Sequence, residues 1–210
     1  MQLRPSYPVP TRRLRLRPLD PADADAVVAY RSRSEVCRYV PFEPMDRETI
    51  ARHITGRWAR QQITTEGDSL FLGVELVSVG QVTGDVTLWF QSAEHRGGEV
   101  GWVFNPDHSG QGYATEAVHA VLHLAFDQLG LHRVVARVDA RNDASLRLAA
   151  RVGMRREAHL VANEWFKGRW SDEVDFALLE DEWGAQHQLG APSWCGSQTG
   201  GRTSQVEPDA

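Results

Sequence analysis

Cysteine is scarce in this chain: there are two, Cys37 and Cys195. A pair cannot build a disulfide framework, which points to a reducing compartment. Long apolar runs are missing too. No stretch approaches the ~20 consecutive apolar residues of a membrane-spanning helix. The opening Met1–Leu19 segment has no apolar h-region and does not read as a signal peptide. A basic excess is also lacking: 23 Lys plus Arg stand against 28 Asp plus Glu, a net charge of −5. A general nucleic-acid binder needs the opposite balance. The expectation is a cytoplasmic protein that works without nucleic acid or membrane. Its 210 residues, 41% hydrophobic and 24% charged, suit one packed domain.

Residues 1–10 hold Pro5, Pro8 and Pro10 and read as an extended lead-in. The segment 184–210 is rich in Gly, Ser and Gln, lacks either structural period, and reads as a disordered tail. The working domain is then 11–183. Within it Leu14 and Leu16 alternate with arginines, as in a half-buried strand. Helices are expected after Asp20 and after Asp46. A hairpin is expected around Gly80, and a strand over Glu99–Asn105 ends at Pro106. Ala114, Ala117, Val118, Val121, Leu122, Ala125, Phe126 and Leu129 share one face of a helix over Gly112–Leu129. A strand at Arg133–Asp139, a helix at Asp143–Val152 and two closing strands follow. The order β-α-α-β-β-β-α-β-α-β-β implies a mixed sheet flanked by helices.

The most informative stretch runs from Asn105 to Ala117. A strand ends, Gly110 and Gly112 make a loop, and a long amphipathic helix starts at once. Glycine permits a tight turn and close approach of a ligand. The first turn of a helix leaves N–H groups unpaired, a natural seat for pyrophosphate. The third glycine of a dinucleotide fingerprint and the Lys-Ser/Thr of a P-loop are both absent.

Gly110-Gln-Gly-Tyr-Ala-Thr-Glu-Ala117, then Asn142-Asp-Ala-Ser145 and Val152-Gly-Met154, resembles the GNAT superfamily of acetyl-CoA-dependent N-acetyltransferases. The ribosomal-protein N-terminal acetyltransferase branch (RimJ/RimL-like) matches best. Thr11–Pro18, Glu99–Pro106 and Gly168–Asp172 are similar to that branch as well. The resemblance implies an α/β fold with a mixed, mostly antiparallel sheet, a splayed central parallel strand pair and flanking helices. It implies an enzyme moving acetyl from acetyl-CoA to an amine acceptor, either a peptide N-terminus or a small molecule. A non-catalytic acyl-CoA-binding module is the alternative on the same fold, and a homodimer is left open.

By the same resemblance, CoA pyrophosphate lies at Gln111, Gly112, Tyr113, Ala114 and Thr115. The pantetheine arm runs beside Val103, Phe104 and Asn105, and Asn142 bonds it from the other side. Arg147 and Arg151 are positioned for the 3′-phosphate. Two departures stand out. Ser109 occupies the first position of the Gln/Arg-x-x-Gly-x-Gly/Ala motif. Ala149 stands where many members carry a general-acid Tyr, so either Ser145 serves or no acid is needed.

Amine acetylation requires a base for the acceptor's proton, polarisation of the thioester carbonyl, and departure of a thiolate. Glu164 is the first candidate base, because the branch proposes a Glu at that position. Glu99, at the start of the cleft strand, is the second. Trp165 and Trp170 flank Glu164 and are expected, with Trp89 and Trp102, to pack in the core. His119 and His123 have i, i+4 spacing but read as a solvated face, so no metal is expected.

Overall fold

A computed structural model describes residues 1–188, and the remainder of the expected tail, with Cys195, lies outside them. Eight strands form one sheet: β1 (Val9–Pro10), β2 (Leu14–Arg17), β3 (Ser69–Leu76), β4 (Gln81–Ser92), β5 (Gly97–Phe104), β6 (Arg133–Asp139), β7 (Arg155–Phe166) and β8 (Arg169–Leu179). Their order is β1-β2-β3-β4-β5-β6-β8-β7. Every adjacent pair is antiparallel except β5–β6, which is parallel. The helices are α1 (Ala24–Arg31), α2 (Ser34–Cys37), α3 (Arg47–Thr55), α4 (Tyr113–His123), α5 (Asp143–Arg151) and α6 (Glu180–Gln188). None is long and apolar enough to cross a membrane among the described residues.

The sheet separates two cores. Leu14, Leu16, Leu70, Leu72, Val74, Leu88, Val100, Val134, Ala136 and Phe176 face α4 and α5, meeting Ala117, Val118, Val121 and Leu148. Phe71, Val82 and Val103 face the other way, toward Val27 and Tyr30 of α1 and Ile50 and Ile54 of α3. Strand periodicity makes this split: successive side chains point to opposite faces, so one strand feeds both cores. Asp46 caps α3 by accepting from the Thr49 amide at 2.8 Å.

Several expectations need correction. The extended lead-in is anchored to the domain: Leu3 is buried, bridges Ile63, and Val9–Pro10 adds a short edge strand. The helix expected over Gly112–Leu129 is α-helical only to His123, and Leu124–Gln128 forms a π turn. The closing hairpin is longer than expected and turns at Lys167 (φ 53°) and Gly168 (φ 75°). That left-handed pair suits a two-residue hairpin turn. Helix α6 carries structure to Gln188, past the boundary expected at 183, with Trp183 stacked on Phe126 at 5.5 Å.

Candidate active site

Strands β5 and β6 share register at Gly97–Arg133, Gly98–Val134 and Glu99–Val135, and then part. Each continues beyond the fork, to Phe104 and to Asp139. A cavity of about 550 Å³ opens there, lined by Glu99, Val100, Gly101, Trp102 and Val103 on one lip and Ala136–Asp139 on the other. Asn105 donates its amide to Thr83 O at 2.9 Å, so its backbone faces β4. Alternation turns Val103 and Gly101 to β4 as well. The groups of Val100, Trp102 and Phe104 are left on the open lip. Of the three residues expected beside the pantetheine arm, only Phe104 therefore offers its backbone to the cleft.

Below the fork lies the glycine loop. Gly110 (φ 77°) and Gly112 (φ 78°) are both left-handed, a conformation that other residues adopt only with strain. Gly112 is the N-cap of α4 and makes no side-chain cap bond. The first intrahelical bond runs from Glu116 N–H to Gly112 O at 3.1 Å. The amides of Tyr113, Ala114 and Thr115 precede it and point out of the helix end. Thr115 Oγ1 is buried without a hydrogen-bond partner. These free donors fit a phosphate, and the open lip of β5 fits the amide-bearing arm of a CoA thioester.

Arg13 was not singled out by the sequence, yet it braces this loop. Its guanidinium donates to Gln111 O at 2.8 Å and to Glu116 Oε2 at 2.7 Å, and lies 4.7 Å from the centre of the Tyr113 ring. Glu116 also accepts from Thr11 Oγ1 at 2.6 Å and from the Arg13 amide at 2.7 Å. Burial pushes the Glu116 carboxyl up, but these bonds outweigh it and hold the group below its usual range.

Asn142 caps α5 by accepting from the Ser145 amide at 3.2 Å. That places Ser145 at the cleft, where Trp102 Nε1 donates to its Oγ at 3.1 Å. Arg147 and Arg151 are exposed on α5 and form no ion pair with a described residue. His119 packs 6.1 Å from Trp183, and His123 meets Asp127 at 2.6 Å.

The opposite side of the fork is acidic. Glu99, Glu164, Glu173 and Asp172 all line the cavity. Burial raises the Glu99 carboxyl above its ordinary value, although Arg137 pairs with it and Gln91 donates to it at 2.5 Å. Glu173 is also raised, first by burial and then by Asp175, Glu164 and Glu99. Such a cluster is relieved by an incoming cation. Glu164 sits opposite Ser171 in the hairpin and is exposed. The flanking tryptophans do not shield it. Trp165 and Trp170 pair with each other across the strands, turned to the other face, and are 58% and 59% exposed. Trp89 is 39% exposed and lies against bare Gly101, where a Cβ would come within 2.9 Å of its ring. Of the four tryptophans expected in the core, Trp102 alone is substantially covered, and it is half-buried.

Aromatic side chains form the far wall. Trp58 and Phe71 stack at 4.1 Å, and Arg31 lies over both. Asp85 neutralises Arg31 through bonds of 2.9 and 2.7 Å. Next to Phe166, Lys167, the sequence's only lysine, donates to Cys37 O at 2.6 Å and Phe42 O at 3.0 Å. Lys167 thereby ties the hairpin to the loop after α2, whose Tyr39, Pro41 and Phe42 also line the cavity.

The profile of the Acetyltransferase (GNAT) domain matches residues 13–155, which contain the fork, the glycine loop and α5. This chain belongs to the GNAT acetyltransferase family. An uncharacterized N-acetyltransferase of Bacillus subtilis, YnaD, is 33% identical over 176 residues, covering 83% of this chain and 98% of the relative. The crystal structure of a GNAT-family acetyltransferase from Bacillus anthracis superposes with a TM-score of 0.73 at 29% identity, covering 86% of this chain and 99% of that one. Spermidine N-acetyltransferase of Vibrio cholerae in complex with CoA and spermine has the same fold, with a TM-score of 0.66 at 23% identity. That match covers 81% of this chain and 98% of the neighbour. The protein is an N-acetyltransferase, and its acceptor is an amine.

Proposed function

We propose that this GNAT enzyme transfers acetyl from acetyl-CoA to the α-amine of a peptide N-terminus, in a ternary complex. The observation that carries the reading is the parting of β5 and β6 directly after Glu99 and Val135. It leaves an open strand lip with the glycine loop on one side and a half-buried carboxylate on the other.

The thioester arm lies along Val100, Trp102 and Phe104, with pyrophosphate at the amides of Tyr113, Ala114 and Thr115. Gln111 and Gly112 shape that seat, Asn142 reaches the arm from α5, and Arg147 and Arg151 meet the 3′-phosphate. The amine enters from the acidic side. An α-amine has a pKa near ~8, so much of it arrives protonated and is drawn to Glu164 and Glu173. Its proton passes through water to Glu99, whose raised pKa suits a base working near neutrality. The amine nitrogen attacks the carbonyl carbon while an amide of the β5 lip bonds the developing oxyanion. The C–S bond then breaks. The second proton of the attacking nitrogen passes through the Ser145 hydroxyl, which gives one proton and takes one up, to the departing thiolate, so that the amide and CoASH are released. Glu164 is the competing base. The placement of Glu99 at the fork favours it, because Glu164 stands exposed at the rim.

Two measurements test the proposal. Acetyl-CoA binding is expected to stabilise the fold by about 2.7 kcal/mol at a hundredfold excess over Kd. Absence of calorimetric binding at millimolar CoA overturns the coenzyme seat. Thiol release is then followed over N-terminal peptides and small amines. Turnover of small amines alone overturns the peptide acceptor.

A further inference from the structure

A second cavity, about 340 Å³, adjoins the first, and Phe166 lines both. Its character is opposite. Arg38, Arg141, Lys167 and Arg169 line it against a single carboxylate, Glu43. Arg141 is already held by Asp139, and Lys167 by two carbonyl oxygens and by Glu43 at 3.6 Å. Arg38 and Arg169 form no ion pair with a described residue, and the Arg38 guanidinium lies 5.9 Å from the centre of the Tyr39 ring. Two unspent guanidiniums thus face a concave pocket on a chain whose net charge is −5.

We infer that this pocket binds an acidic side chain of the acceptor peptide, within the first few residues after the amine that is acetylated. The inference rests on the peptide reading above and adds its specificity. The acceptor path is polarised: Glu99, Glu164 and Glu173 attract a cation at one end, and Arg38 and Arg169 attract a carboxylate beyond Phe166. A guanidinium matches a carboxylate with two parallel hydrogen bonds, so two free arginines favour this partner over a neutral chain. A polyamine fits poorly, because its second ammonium would be brought up to four cations. An extended peptide advances about 3.3–3.6 Å per residue, so neighbouring cavities are spanned by a short segment.

The test uses peptides that share an N-terminal residue and differ only in the next three, which are acidic, neutral or basic. The expected result is a kcat/KM at least tenfold higher for the acidic peptide, carried by KM, with the basic peptide poorest. Arg38→Ser combined with Arg169→Ser is expected to collapse the acidic-to-neutral ratio toward one. Coenzyme binding by calorimetry serves as the folding control. Equal kcat/KM for acidic and neutral peptides, or a ratio untouched by the double substitution, overturns the inference and leaves the peptide reading standing. If no peptide is turned over while a small amine is, the peptide reading has failed. Calorimetry with an N-terminally blocked acidic peptide on the CoA-loaded enzyme then decides the pocket. Binding that the double substitution abolishes supports it, and no binding overturns it.

Discussion

Trp102 donates its indole N–H to Ser145 Oγ across 3.1 Å, joining the cleft strand to the first turn of α5. The bond occupies a lone pair of the hydroxyl and leaves its own hydrogen to be given away. In the proposed mechanism this makes Ser145 a donor to the departing thiolate. A CoA thiol has a pKa near ~8.5 and leaves readily, so this donor assists more than it drives. Ser145→Ala is expected to lower kcat about threefold to tenfold, well below the effect of removing a base. Trp102→Phe is expected to have a similar effect through loss of orientation. Single-turnover kinetics at saturating acetyl-CoA measure both.

The two carboxylates are separated by parallel substitutions. Glu99→Gln is expected to lower kcat by about 10²–10⁴ while CoA affinity stays unchanged. Glu164→Gln is expected to act mainly on KM for the amine. Burial raises Glu99, so the acidic limb of the wild-type profile lies above the ordinary carboxylate range. The limb rises with pH because only the ionised form accepts a proton. Glu99→Gln should lose that limb, and its deficit should shrink as alkaline pH deprotonates the amine. A large kcat loss in Glu164→Gln with a near-normal Glu99→Gln would move the base to the hairpin.

Glu116 ties the first turn after the glycine loop, the proposed coenzyme seat, to Thr11 and Arg13. Glu116→Gln removes the charge that holds Arg13 against the glycine loop, and is expected to destabilise the protein by roughly 1–3 kcal/mol. CoA binding should weaken with it. Urea titration and calorimetry read the two effects separately. Thr11→Ala should reproduce a smaller part of both.

Acid should loosen the molecule in a definite window. Glu157, beside Arg133 and Arg155, is lowered to about 2, and Glu116 is also lowered. A depressed carboxylate contributes stability that is present above its unfolded value, about 4.3, and lost as pH falls toward its folded value. Urea midpoints are expected to decline between about pH 4.5 and 2. The decline should be shallower in Glu157→Gln. A pH-independent midpoint across that range would contradict the assignment.

Much of this was legible in the sequence, for reasons that differ by element. The glycine loop could be read because Gly110, Gly112 and the stripe from Ala114 are local and periodic. β6 was read at its true ends because Val134, Ala136 and Val138 alternate between polar neighbours. The Arg13–Glu116 brace was hidden: its members lie 103 positions apart, and neither belongs to an apolar pattern. The exposure of Trp165 and Trp170 was misjudged because alternation says which residues share a face, not whether anything covers it. The π turn after His123 keeps the apolar stripe intact and leaves no compositional mark. Leu3 read as part of an extended lead-in, and its burial depends on a partner sixty positions on, Ile63.

The three register pairs between Gly97–Glu99 and Arg133–Val135 have a mechanical meaning. They are the whole seam between two half-sheets, whereas β3–β4 and β6–β8 each share a register running nearly their full length. Parallel pairing is also slightly weaker per residue than antiparallel. Under tension applied between β3 and β8, the sheet would tear along this seam before any other, like a board with a saw cut already started. In the proposed binding mode, a coenzyme arm laid on β5 would lie inside the cut and grip one side of it.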